Sequence, residues 1–124
     1  MNILVANLGS TSFKYRLFRF DGTGEPSLLA KGGFERVSDF GQAINDCLGE
    51  LRAAGHVRSA GDVHGVGFKA VLGKDLTGCV PADDRAIAAL EGMREIAPAH
   101  NPAYAEGIRR FREKLPGVPL VALF

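Results

Sequence analysis

Apolar residues along the first part of the chain follow the pattern of strands joined by short turns. Ile3 to Ala6 form a continuous apolar run that ends in the polar segment Asn7 to Ser12, which is typical of a strand leading into a tight loop. Phe13 to Phe20 nearly alternate between apolar and basic residues, as expected of a strand with one buried face. The two segments predict a β-hairpin. After a turn at 21–24, Ser27 to Phe34 predict a third strand.

The next segment changes to the period of a helix. Asp39 followed by Gln42 is similar to a capping box, and Gly55 is a residue type that commonly ends helices. Together with the apolar spacing they predict an amphipathic helix between positions 39 and 55. Its buried face is predicted to comprise Phe40, Ile44, Cys47, Leu48 and Leu51.

The remaining sequence predicts one strand, two helices and a final strand. Val63 to Leu72 has strand character, and Asp83 can cap a helix. Asn101-Pro102 predicts the start of a second helix, and Val118 to Phe124 predicts a strand. The resulting order, β-β-β-α-β-α-α-β with a mixed sheet, is that of a single α/β domain over residues 1–124.

The second of these helices carries both a buried stripe and a basic run. The stripe is predicted to be Tyr104, Ile108, Phe111 and Leu115. The basic run is Arg109, Arg110, Arg112 and Lys114. An anion-binding patch is one interpretation. A solvated face that offsets the helix dipole is favoured over it.

Composition and charge argue against several classes of function. With 46% hydrophobic and 23% charged residues and a net charge of +1, neither disorder nor nucleic-acid binding is favoured. No apolar stretch approaches the ~20 residues that a bilayer-spanning helix needs, and Met1 leads into a strand rather than a signal sequence. Cys47 and Cys79 lack metal-ligand spacing. We therefore expect a soluble cytoplasmic protein that binds no membrane.

Asn7 to Lys14 is the segment with the most chemistry. It combines an amide, three hydroxyls, a glycine and an ammonium group in one hairpin connection. Gly9 lets backbone approach a ligand, successive N–H groups in a turn can hold an anion, and Lys14 adds a positive charge. The alternative is a plain polar turn with Lys14 on a solvated strand face. Composition alone favours that alternative.

Other candidates are weaker. Gly65 to Ala70 matches the GxGxxA form of the dinucleotide fingerprint, but the segment continues as a strand where the fingerprint needs a helix. Gly73-Lys74 lacks the rest of a P-loop. His100 directly precedes the predicted helix start at Asn101-Pro102. Its ring could face a ligand or bond to the loop backbone, and the sequence favours the second.

Three segments resemble the acetate kinase family. Asn7 to Tyr15 is similar to the family's opening signature, Asn-x-Gly-Ser-Ser-Ser-x-Lys. Gly33 to Arg36 is similar to its Gly-x-x-Glu-Arg, and Ile96 to Pro102 to its Leu-Ala-Pro-x-His-Asn-Pro. The segments occur in family order, and the resemblance extends over the whole chain, which would correspond to the N-terminal portion of the family's longer protein.

The resemblance implies a fold, a reaction and roles for five residues. The fold is the actin-like, ribonuclease-H-like domain of the sugar kinase and Hsp70 superfamily. The reaction is transfer of the γ-phosphoryl group of ATP, with Mg²⁺, to a short carboxylate such as acetate. Asn7 would lie by the metal, Ser10, Ser12 and Lys14 would bind the phosphates, and His100 would act near the transferring group. The family also suggests a homodimer, and an adenosine-binding second domain in a C-terminal half.

The chain departs from the family pattern in one segment. The family's Gly-His-Arg-Val-Val-His-Gly-Gly is replaced by Gly67 to Lys74, so that Phe68 and Leu72 stand for histidines and Lys69 for the substrate-facing arginine. Lysine lacks the planar fork that grips a carboxylate in two bonds, so weaker acceptor binding is expected. The rival hypothesis is a degenerate, non-catalytic phosphate-binding module that pairs with another chain. A simple α/β interaction domain ranks last.

Overall fold

The computed structural model describes residues 1–9, 11–22, 24–69, 79–92 and 101–123. Its strands are β1 (Asn2–Leu8), β2 (Phe13–Arg19), β3 (Ser27–Phe34), β4 (Gly65–Lys69), β5 (Cys79–Pro81) and β6 (Leu120–Leu123). Its α-helices are α1 (Phe40–Ala53), α2 (Asp84–Gly92) and α3 (Asn101–Lys114), and a short 3₁₀ turn covers Ala60–Asp62. The strands form one sheet in the order β3-β2-β1-β4-β6-β5.

The sheet is mixed, as predicted. β1, β2 and β3 pair antiparallel, whereas β4 runs parallel to both β1 and β6. β5 pairs antiparallel with β6 at the far edge. The carboxyl ends of β1, β4 and β6 therefore meet at one end of the sheet, which is where ligands bind in open α/β sheets.

The predicted element order is wrong at one place, because the structure has β5 between β4 and α2. This strand has three residues, Cys79 to Pro81. Such a segment is too short to show a period of two, and proline is confined to edge positions of sheets because it cannot donate to the ladder. The strand predicted over Val63 to Leu72 is confirmed only at its centre, since β4 begins at Gly65 and residues 70–72 lie outside the described residues.

The predicted end signals of the first helix are confirmed. Oδ1 of Asp39 accepts a hydrogen bond from the N–H of Gln42 at 3.2 Å. At the other end Gly55 has a φ of +81°, and the N–H of His56 donates to the carbonyl oxygen of Leu51 at 3.0 Å. This pair of features is the Schellman arrangement, which needs glycine because its φ is positive. Asp83 likewise caps α2 through the N–H of Ala86 at 3.1 Å.

All three helices share one core with the same face of the sheet. Alternate residues of the strands supply that face, α1 and α3 supply their predicted apolar stripes, and α2 adds Ile87 and Leu90. Phe13 and Phe111 are fully buried, with ring centroids 5.8 Å apart. Burying such large side chains contributes roughly 1.5–3 kcal/mol each.

The basic run of α3 forms ion pairs on the helix surface. Arg110 pairs with Glu106 and Glu113, and Arg112 with Asp84 of α2. Arg109 pairs with Glu91. These pairs are exposed to solvent and contribute little to stability. The prediction of a solvated face for the basic run is confirmed.

Among the helices of the described ranges, none is long and apolar enough to cross a bilayer.

Candidate functional site

The hairpin between β1 and β2 closes through a short turn. The strands pair up to Leu8 and Phe13, and the N–H of Gly9 donates to the carbonyl oxygen of Ser12 at 3.0 Å. A Cβ at Gly9 would lie 2.5 Å from Oγ of Ser12, so any larger residue would displace that hydroxyl. Glycine allows the hydroxyl to keep its position. The turn keeps backbone and a hydroxyl group close together, as a phosphate-binding loop requires.

Contacts from two other elements hold this turn. Beyond the end of β3, the N–H of Val37 donates to the carbonyl oxygen of Thr11 at 2.7 Å. Arg36, the preceding residue, has a φ of +55°, a left-handed conformation that is uncommon for a residue other than glycine. On the core side, Gly107 of α3 packs directly against Leu8. The turn is therefore fixed from both the β3 side and the helix side.

Asn7 and Lys14 lie directly opposite each other at the root of the turn. They are cross-strand partners in the register of β1 and β2, and both are exposed. Their neighbours Ala6 and Tyr15 are buried, so Asn7 and Lys14 lie on the sheet face away from the helices. A cavity of about 610 Å³ opens there, lined by both side chains and by Gly33 of β3. The amide and the ammonium group thus share one ligand-accessible space.

The cavity carries a cluster of positive charge. Arg16 and Lys31 line it together with Lys14. Within the described ranges, no carboxylate forms an ion pair with any of these three side chains. Three cations without a carboxylate partner among the described residues, all around one cavity, favour an anionic ligand or partner.

Lys69 belongs to the same end of the sheet. Val5 pairs with Gly67 in the parallel register of β1 and β4, and Asn7 and Lys69 each follow two residues later on these strands. Lys69 is the last residue of β4, opposite Leu123 of β6. The backbone of Lys69 therefore lies at the same end of the sheet as that of Asn7. Its side chain lies outside the described part of the structure, as do Ser10 and His100, so the predicted roles of these residues stay predictions.

Comparison with known proteins tests the resemblance. A sequence profile of the Acetokinase family matches residues 33–124. The chain belongs to the acetokinase family. The proteins named acetate kinase from Bacillus cytotoxicus and Staphylococcus carnosus are each 32% identical to it over 98% of the chain. In both cases the chain spans 36% of the relative's length, and the matched part is N-terminal.

Solved structures agree with this membership. The crystal structure of Porphyromonas gingivalis acetate kinase superposes on 99% of the chain with a TM-score of 0.88 at 25% identity. A propionate kinase from Francisella tularensis superposes with a TM-score of 0.74 at 24% identity. The chain covers 37% and 36% of these two proteins. The predicted actin-like fold is confirmed, and so is the family predicted from the three sequence segments.

One departure of this acetokinase-family chain from the family pattern lies in the core. Phe68, which stands where the family pattern has histidine, is only 3% exposed. Its ring packs edge-on against Phe111, with centroids 5.1 Å apart. It is therefore on the helix-covered face, opposite the face of Asn7 and Lys14. Replacement of this histidine changes core packing rather than removing a group from the cavity.

The segment that matches the dinucleotide fingerprint does not have the structure of that motif. Gly65 to Lys69 are a continuous strand, so the small-residue spacing there opens no helix for a pyrophosphate.

Two ionisable groups are buried in the core. Cys47 is fully buried in α1, and burial, with the nearby Glu50 carboxylate, raises the pKa of its thiol to about 12. Burial and a 2.8 Å hydrogen bond to Glu50 likewise raise the pKa of Tyr15. Both groups lie in the core and are protonated at neutral pH.

The sequence assigned no site role to three cationic residues at this end of the sheet or on the same face. Arg16 and Lys31 line the cavity, and Arg36 lies beside the hairpin turn in its left-handed conformation. The alternation of β2 could have placed Arg16 on the face of Lys14, because the two are two residues apart. Nothing local in the sequence pairs Arg16 with Lys31.

Proposed function

We propose that this chain supplies the phosphate-binding part of a phosphotransferase that moves the γ-phosphoryl group of ATP to a short carboxylate such as acetate. The observation that carries the proposal is the cross-strand pair of Asn7 and Lys14 beside the tight turn of the first hairpin. Membership of a family whose relatives are named acetate kinase supports it. The product would be an acyl phosphate, and the reaction would belong to the cytoplasm, where ATP is consumed.

In this proposal the hairpin turn binds the phosphates. Backbone N–H groups of the turn, together with the hydroxyls of Ser10 and Ser12, donate hydrogen bonds to phosphate oxygens. Lys14 neutralises part of the charge that the phosphates carry. Phosphoryl transfer needs mainly such positioning and charge neutralisation, because the protein contributes little covalent chemistry.

The residues present fit a magnesium ion that arrives with ATP. Mg²⁺ prefers oxygen ligands and commonly takes only one or two from the protein, with phosphates and waters supplying the others. The exposed amide oxygen of Asn7 and the hydroxyl of Ser12 are ligands of this kind. No set of three or more His, Cys, Asp or Glu side chains within the described ranges could hold a metal alone. Bound Mg²⁺ would neutralise charge on the phosphate oxygens.

Lys69 and His100 complete the proposed site on the acceptor side. Lys69 would attract the carboxylate as a point charge without gripping it in two bonds, so the acceptor would bind more weakly than to an arginine. His100 would donate a hydrogen bond near the transferring group. The position of Lys69 at the end of β4, level with Asn7 on β1, supports this assignment.

A second candidate is a non-catalytic module that binds phosphate and pairs with another chain. The observation that favours it is the departure over Gly67 to Lys74, where Lys69 stands for the family's substrate-facing arginine. In either case we propose that residues 1–124 form one actin-like domain, and that the adenosine moiety is bound by polypeptide equivalent to the remainder of the relatives.

A chimeric enzyme separates the two candidates. The matched N-terminal segment of Bacillus cytotoxicus acetate kinase is replaced by residues 1–124, and acetyl phosphate formation is measured as its hydroxamate. Activity is expected, and Asn7→Ala and Lys14→Ala should each lower kcat/KM by about tenfold or more, because the first removes a proposed metal ligand and the second a phosphate contact. Arg52→Ala, on the exposed side of α1, is the matched control and should leave kcat/KM unchanged.

The acceptor assignment has its own readout in the same chimera. Lys69→Arg should lower the KM for acetate because the guanidinium group can form two parallel hydrogen bonds. A chimera that folds and binds MgATP but forms no acetyl phosphate would favour the non-catalytic module. A chimera whose turnover is indifferent to Lys14→Ala would overturn the proposed phosphate site.

A further inference from the structure

One face of the sheet has no helix on it among the described residues. A row of cross-strand partners crosses this face from β3 to β6, and we call the surface around this row the open face. The row consists of Lys31, Arg16, Val5, Gly67 and Val121. Val5 is 39% exposed, whereas its neighbours Leu4 and Ala6 are fully buried. Directly paired residues share a face, so the whole row lies opposite the core.

The open face includes parallel strands, which are normally covered on both sides. β1, β4 and β6 run parallel, and sheets built from parallel strands bury both faces in nearly all proteins. Val5 and Val121 give this part of the face an apolar character. Between them a Cβ added at Gly67 would meet nothing within 4 Å, so β4 forms the floor of a shallow trough.

The antiparallel side of the open face is positively charged. Arg16 and Lys31 are directly opposite each other, and like charges in that position destabilise a sheet. Neither forms an ion pair with a carboxylate from the described residues. Carboxylates from a covering element would remove this repulsion.

We propose that the open face is the docking surface for an amphipathic, acidic helix of a partner polypeptide. Its apolar stripe would lie along Val5, Gly67 and Val121, and carboxylates on one edge would pair with Arg16 and reduce its repulsion with Lys31. A helix is about 10–12 Å wide and strands are about 4.8 Å apart, so a helix centred over β4 covers β1 and β6. Its edge then ends about 4 Å short of β2, a distance that the long side chain of Arg16 can span.

Arg16 and Lys31 line the same cavity as Asn7 and Lys14 but are given no contact with phosphate or metal, so peptide binding is measured without nucleotide and its failure leaves the proposed phosphate site untouched. Two synthetic amphipathic peptides with the same apolar stripe, one flanked by glutamate and one by lysine, are titrated into the ¹⁵N-labelled protein. The acidic peptide should shift the amide signals of Val5, Gly67 and Val121, with at least about tenfold preference over the basic peptide. The preference should weaken as salt is added.

A charge reversal tests the contact directly. The double variant Arg16→Glu with Lys31→Glu should prefer the basic peptide, and Arg16→Gln with Lys31→Gln should show no preference. The matched control is Arg52→Glu with Arg85→Glu, two exposed residues on α1 and α2, which should keep the wild-type preference. Binding of neither peptide, equal binding of both, shifts confined to the helices, or a reversed variant that still prefers the acidic peptide would each overturn the proposal.

Discussion

Gly107 of α3 packs so closely on Leu8 of β1 that a Cβ at Gly107 would overlap Cδ1 of Leu8. Leu8 is 2% exposed and directly precedes the hairpin turn. The helix thereby supports the strand end that presents Asn7. The close approach explains a glycine in the interior of a 14-residue helix, where glycine is otherwise unfavourable.

Gly107→Ala should lower the free energy of unfolding by about 1–2 kcal/mol, because overpacking the contact with Leu8 outweighs the gain in helix propensity. Urea denaturation measures the change. Gly49→Ala in α1 is the matched control, since a Cβ there meets nothing within 4 Å. It should raise stability by about 0.5–1 kcal/mol. Stabilisation by both substitutions would show that Leu8 moves aside freely.

Gly9→Ala should weaken MgATP binding more than it weakens the fold. The added methyl group would displace Oγ of Ser12, which lies 2.5 Å from the position of a Cβ. Rotation of a serine side chain costs little, so stability should change by less than about 1 kcal/mol. Calorimetric titration with MgATP should give similar losses for Gly9→Ala, Ser12→Ala and the double variant, because all three remove the same hydroxyl contact. Additive losses would place Gly9 and Ser12 in separate contacts.

Stability should fall with rising pH above about pH 9 because Cys47 titrates. Its pKa is about 12 in the folded chain. In the unfolded chain the thiol loses its proton near pH 8.5–9. Between that pH and the pKa of the folded chain, the unfolded state binds fewer protons than the folded state. The free energy of unfolding therefore falls by about 1.4 kcal/mol per pH unit. Tyr15, whose pKa is also raised by burial, adds to the slope above about pH 10.

Urea denaturation under reducing conditions at pH 7.5, 9 and 10 measures this slope. Cys47→Ala should flatten the slope between pH 9 and 10, whatever it costs at pH 7.5, because it removes the titrating thiol. Tyr15→Phe should keep the slope in that interval. An unchanged slope in Cys47→Ala would mean that another group controls alkaline stability.

Local periodicity was enough to predict the elements that carry the fold. A period of two defined the hairpin, and a period of 3.6 with end signals at Asp39, Gly55 and Asp83 defined the helices. β5 was not predicted, because its three residues are too few to show the two-residue alternation of a strand. The sequence offered Asn7 and Lys14 as a candidate site through the local chemistry of the turn and the family resemblance, and their direct pairing follows from the hairpin register.

Properties that depend on register between distant segments were not predictable. Phe68 stands in a family histidine position, yet only the pairing of β4 with β1 and β6 assigns it to the core face. The pairing of Arg16 with Lys31 depends on the register of β3, which shifts between Leu17 and Phe18 of β2. A one-residue slip would reverse these faces, and no local pattern fixes it.

Arg36→Gly should stabilise the fold while weakening MgATP binding. Arg36 has a φ of +55°, which costs an L-residue roughly 1–2 kcal/mol and costs glycine little. Such strain is retained chiefly at functional sites, and this residue lies beside the turn through the bond from Val37 to Thr11. The free energy of unfolding should rise by about 1 kcal/mol. Arg52→Gly in the last turn of α1 is the matched control and should lower the free energy of unfolding by a similar amount, about 0.5–1 kcal/mol.

Arg36→Ala separates the backbone strain from the side chain. It should leave stability nearly unchanged, because alanine keeps the strain, and should weaken MgATP binding as much as glycine does. Loss of stability in Arg36→Gly would mean that the arginine side chain holds the turn through contacts of its own.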